Sequence, residues 1–123
     1  MEKLTMIVTV LGTEYRIHES SPAEDPVLKD NDGYCDPSVA VCVIAELDKR
    51  ETDSLKDMDA YKRRVMRHEL THAFLFESGL GYECEWACEE MVDWLARHFP
   101  KLVTAFTAAG CMNRIKLTND AGQ

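Results

Sequence analysis

Apolar positions alternate with a strand-like period up to about residue 45, and after Ser54 they recur at spacings of three and four. Thr5 to Leu11 is rich in β-branched residues, Gly12-Thr13 interrupts it, and Glu14 to His18 alternates apolar with polar positions, which predicts a β-hairpin. Ser20 to Asp30, carrying Pro22 and Pro26 among acidic and small residues, reads as a surface loop because each proline lacks a ladder donor. Gly33 to Asp36, a turn at Pro37-Ser38 and the apolar run Val39 to Ala45 predict a second strand pair. The expected sheet is small and antiparallel, with about four strands, and the charged stretch Asp48 to Asp53 ends it.

Ser54-Leu55-Lys56-Asp57 fits a capping-box start for a long helix running to about Ser78, with Gly79 placed to terminate it. A second helix is expected over Glu83 to His98, with an apolar stripe formed by Cys88, Met91, Val92, Leu95 and Phe99. Pro100 is then read as the start of a last helix ending near Gly110. The whole is an α+β fold, one domain over residues 1–112, with a frayed tail over 113–123.

Composition narrows the function. The 123 residues carry a formal net charge of −8, which disfavours nucleic acid as a partner because phosphate neutralisation requires a basic patch. Lys62, Arg63, Arg64 and Arg67 cluster, but a solvated helix face accounts for them. No run approaches the roughly 20 apolar residues of a membrane span, and Met1-Glu2-Lys3-Leu4 opens no secretory signal. The 5 cysteines are odd in number and irregularly spaced, which suits free thiols in a reducing compartment, so a cytoplasmic protein is expected. Cys35 and Cys42 face each other across the predicted second hairpin, where an oxidised pair is allowed but not needed. Cys84 and Cys88 lack a second pair at metal-finger spacing.

The chemistry concentrates in His68-Glu69-Leu70-Thr71-His72. Residues four apart share a helix face, so both imidazoles reach one ion, while Glu69 lies about 100° round the helix, beside that ion. With only 4 histidines in the chain, chance gives this pattern on the order of 0.01 times per chain. The competing reading is a surface histidine pair. Val65, Met66, Leu70, Ala73, Phe74, Leu75 and Phe76 surround the motif and argue instead for a helix in the centre of the domain.

A catalytic zinc takes three protein ligands and keeps a fourth position for water. The acidic residues of the next helix are the source of the third. Counting about 100° per residue from Cys88 places Glu89 at the edge of the expected stripe and Glu90 towards solvent. Asp93, one turn after Glu89, shares its flank and can accept the second N–H of a ligand histidine. Glu90 and Cys88 are the alternatives to Glu89.

The segment from Arg67 to Leu95 resembles the gluzincin branch of zinc peptidases, which pair His-Glu-x-x-His with a glutamate on a following helix and an acidic or amide residue four positions later. Glu89-Glu90-Met91-Val92-Asp93-Trp94-Leu95-Ala96 is most similar to the ImmA/IrrE-type peptidases of phages and mobile elements and to minigluzincins, although Met91-Val92 stands where the former commonly have Glu-Ala. The resemblance implies a zincin-like domain, Zn2+ on His68, His72 and Glu89, Asp93 behind them, and a peptide or protein substrate. Glu69 would then be the general base that activates a metal-bound water, passing its proton to the leaving amine. Val39 to Ala45 is the expected edge for an extended peptide. Tyr34, Tyr82 and His98 are the available oxyanion donors, none of them assigned to the site. Two other classes compete: a non-enzymatic or latent protein using zinc for folding or partner binding, and an inhibitory acidic protein for which the motif is irrelevant.

Overall fold

The computed structural model describes residues 5–46, 57–81 and 84–113. The capping-box residues Ser54 to Lys56, Tyr82, the expected helix start at Glu83 and the tail beyond Asn113 lie outside the described residues.

Strands β1 (Thr5–Val10) and β2 (Thr13–Ser20) form the expected hairpin, with Val10 opposite Thr13. Leu11 and Gly12 both adopt positive φ, 48° and 92°, as a two-residue type I′ turn requires. A one-turn 3-10 helix (Pro26–Lys29) follows, capped by the Asp25 carboxylate on the Val27 N–H, and Leu28 plugs the outer face of the sheet against Val43 and Ala45. β3 (Gly33–Asp36) and β4 (Val41–Ala45) make the second hairpin. Its turn is held by Asp36 Oδ1, which accepts from Ser38 N–H at 3.1 Å and Ser38 Oγ–H at 2.6 Å.

The sheet order is β1-β2-β4-β3, and β2 pairs β4 in parallel. The sheet is therefore mixed, not antiparallel throughout as expected. The reason is burial. Cys42, Val43, Ile44 and Ala45 are each at most 4% exposed, so β4 gains most by sitting inside the sheet with both faces covered. The same fact moves the sheet edge: β4, expected as the edge, is interior, and β1 and β3 are the edges.

Helix α1 (Met58–Glu77) is capped by Asp57, whose carboxylate accepts the Ala60 N–H at 3.0 Å. It ends in a Schellman motif, with Gly79 N–H on Phe76 O and Leu80 N–H on Leu75 O, and Gly79 at φ 87°. Val65, Glu69, Ala73 and Leu75 are buried, and Val65 and Ala73 join the core of Val10, Tyr15, Ile17, Cys42 and Ile44. Phe74 is 44% exposed, so α1 lies on one face of the sheet and is not surrounded on all sides. Its far end is tied to β2 by Glu77, which accepts from Thr13 Oγ1 at 2.9 Å and Tyr15 OH at 2.7 Å.

Helix α2 (Glu89–Ala108) is continuous through Pro100, where two helices were expected. Proline removes the N–H that would bond Ala96 O. That carbonyl instead accepts from Arg67 Nε at 2.8 Å. The side chain of α1 thus repairs the break in α2. The buried residues of α2 are Val92 and Ala96, while Phe99 is exposed. Val92 of the expected stripe is thus packed, with Ala96 beside it, while Met91 and Leu95 are half-buried and Cys88 is exposed, so the packed face is centred about 60° from the one expected. Among the described residues no helix is long and apolar enough to cross a membrane.

Candidate metal centre

Glu89 opens α2 and reaches the histidines of α1 from the first turn of its helix, where the partial positive charge of the N-terminus favours a carboxylate. Its two oxygens divide between two imidazoles: Oε1 is 3.1 Å from His68 Nε2, and Oε2 is 3.1 Å from His72 Nε2. The rings lie edge to face with centroids 5.0 Å apart. One ligand atom from each of these three residues lies within 4.8 Å of the others, and they form the only such His/Cys/Asp/Glu group among the described residues.

Each neutral imidazole can donate an Nε2–H to one of these oxygens, and with the ring nitrogens deprotonated the same three side chains can share one divalent cation. Burial holds His72 below its ordinary proton affinity, against the opposing pull of Glu89, which favours the neutral form that ligates metal. The donor set, two nitrogens and a carboxylate oxygen, could hold a metal ion, and the Glu89 side chain is 72% exposed.

Glu69 is 7% exposed and is the only charged residue in the buried set among the described residues. Burial, reinforced by the Glu89 charge, pushes its carboxyl from 4.5 up to about 7. It lines a cleft of about 540 Å³ together with His68, His72 and Glu89. The opposite wall comes from β3. Gly33 is required there: a Cβ would stand 2.9 Å from Val65 Cγ1, 3.0 Å from Val43 O and 3.3 Å from Glu69 Cγ.

Asp93 is near His68, but at 3.8 Å from Nδ1 it is beyond hydrogen-bond range. Its carboxylate is engaged by Arg97 Nε at 3.0 Å and Arg64 Nη2 at 3.6 Å, and Arg97 chiefly holds it below the usual carboxylate range. The expected histidine-orienting contact is thus not made in this conformation. Glu90 is exposed and Cys88 is the N-cap of α2 without a side-chain cap bond, so Glu89 is the acidic residue brought to the histidines. Cys84 and Cys88 precede α2 in non-helical backbone, although a helix was expected from Glu83. Tyr34 lines the cleft, but its hydroxyl donates to Asp25, which together with burial pushes the phenol up to about 12. His98 packs on Trp94.

Gly33 and Cys35 are site residues that sequence periodicity passed over; a glycine inside a strand pattern was the available signal. Of the basic cluster, Lys62 pairs with Glu19 at 2.6 Å, Arg64 with Asp93, and Arg67 with Ala96 O. Those three side chains serve the fold.

No protein-family model matches this chain, and neither a curated protein nor a solved structure matches it.

Proposed function

We propose that the chain is a zinc-dependent hydrolase of peptide bonds, similar to the gluzincin peptidases of the ImmA/IrrE type. One observation carries the reading: Glu89, 21 residues beyond His68, divides its carboxylate between the two histidines of a His-Glu-x-x-His helix. His68, His72 and Glu89 would hold the ion, and Zn2+ bound there supplies Lewis acidity that makes water more acidic and polarises a carbonyl.

The remaining work falls to Glu69. A carboxylate held near pH 7 by burial is basic enough to take a proton from water and acidic enough to return it to a leaving amine. Its exclusion from bulk water also keeps that proton from being lost between the two steps. The cleft volume is ordinary for a small-ligand or peptide-side-chain site, which favours an enzyme over a purely structural metal site. An extended substrate would align along β3, the edge strand that forms the cleft wall, and not along β4.

The test is zinc content and peptide cleavage measured together. Glu69→Gln is expected to keep stoichiometric zinc and lose cleavage, and His72→Ala to lose the metal. Cleavage retained in the Gln variant would remove the role given to Glu69, and absence of zinc from the wild type would remove the reading itself.

A further inference from the structure

Cys35 on β3 and Cys42 on β4 are opposed residues of an antiparallel pair. The phase of that ladder is set by Ala45 N–H, which donates to Asp32 O at 2.8 Å. Hydrogen-bonded and non-hydrogen-bonded pairs alternate, so Tyr34/Val43 is of the first kind and Cys35/Cys42 of the second. Opposed Cα atoms in such a pair stand about 4.5 Å apart, inside the roughly 4.4–6.8 Å that a disulfide spans. The pairing register need not change for the bond to form.

Access differs between the two. Cys42 is fully buried against α1, with its sulfur 3.7 Å from Glu69 O. Cys35 packs on the edge of the same core, is half-buried, and opens on the cleft. Their mutual hydrogen bond lowers Cys35 below the ordinary thiol range and raises Cys42, which fits an attacking thiolate backed by a resolving thiol.

We propose that Cys35 and Cys42 are a reversible redox pair in the cleft wall, oxidised by small-molecule disulfides such as oxidised glutathione. Cys35 releases its proton to solvent and its sulfur attacks one sulfur of the reagent, breaking that S–S bond. One small thiolate leaves and is protonated, and Cys35 carries a mixed disulfide. Cys42 then gives up its proton and attacks Cys35 Sγ, displacing the second small thiol. Two protein thiols lose two electrons, and one reagent disulfide is reduced to two thiols. Excess thiol reverses both steps. The proposal requires neither metal nor peptidase activity.

The test is oxidation of the full chain with oxidised glutathione, followed by acid quench, alkylation under denaturing conditions and peptide mapping by mass spectrometry. The expected product is a Cys35–Cys42 cross-linked peptide that dithiothreitol reopens. In Cys42→Ala, Cys35 should instead retain a stable glutathione adduct, and in Cys35→Ser the buried Cys42 should remain reduced. Exposed Cys88 and Cys111 report that the reagent was active, since they flank a 20-residue helix about 30 Å long and cannot join within one chain. Full alkylation of Cys35 and Cys42 after Cys88 and Cys111 have reacted would overturn the proposal. So would a persistent glutathione adduct on Cys35 in the wild type.

Discussion

Arg67 on α1 donates its Nε–H at 2.8 Å to the carbonyl of Ala96 on α2, the acceptor that Pro100 leaves without its helical partner. The contact couples the helix carrying both histidines to the helix carrying Glu89, so its loss bears on fold and site together. Arg67→Met should destabilise the protein by about 1–3 kcal/mol, the cost of an unsatisfied buried polar group. In a Pro100→Ala background the helix supplies its own N–H, and the same substitution should cost clearly less. Denaturant midpoints of the four proteins in that double-mutant cycle measure the coupling; equal costs in the two backgrounds would detach Arg67 from the proline.

The approach of β3 to α1 depends on Gly33. An added Cβ meets Val43 O, which is backbone, and Val65 Cγ1, which is β-branched and stiff. Gly33→Ala should therefore cost about 1–3 kcal/mol, as overpacking does, and the displaced strand should widen the cleft beside Glu69. Chemical denaturation gives the first effect. Peptide cleavage at full occupancy with zinc gives the second.

Metal affinity should separate three acidic residues on one helix. Glu89→Ala removes a carboxylate that touches both histidines and should abolish stoichiometric zinc. Glu90→Ala alters an exposed residue and should leave zinc binding unchanged. Asp93→Asn should weaken it by less than the roughly 10-fold typical of a hydrogen-bonded outer ligand, because the 3.8 Å separation from His68 is too long for that bond. Competition with a chromophoric chelator ranks the three.

In metal-free protein, stability should fall as pH rises through the titration of Glu69. The folded carboxyl, pushed from 4.5 to about 7 chiefly by burial, binds its proton more tightly than the unfolded one. Its favourable contribution is complete below about pH 4.5 and is lost as pH passes about 7. Relative to Glu69→Gln, the wild type should lose on the order of 3 kcal/mol across that window. Urea unfolding of both proteins at several pH values in excess chelator checks this, and parallel curves would show that Glu69 is not desolvated.

The local elements were legible in the sequence because each rests on neighbours in the chain. The hairpin turn about Gly12, one residue from where it was expected, and the Gly79 and Gly110 helix endings follow from backbone preferences that act over a few residues. So does the shared face of His68 and His72. What lay between elements was not legible. The direction of β4 beside β2, and hence the mixed sheet with β3 at its edge, depends on which strand gains most from burial on both faces, and periodicity carries no strand direction. The continuity of α2 through Pro100 depends on a donor 33 residues away, Arg67, that no local pattern could supply. The expected stripe of α2 held Val92 but reached to Phe99 and passed over Ala96, because a large apolar residue reads as core in sequence while a small one fits where two helices approach. Sequence alone determined that two imidazoles and a glutamate share one helix, and its helical angles already preferred Glu89 to Glu90; tertiary packing decided that the Glu89 carboxylate reaches both histidines at 3.1 Å, since only the docking of α2 against α1 sets distances between elements.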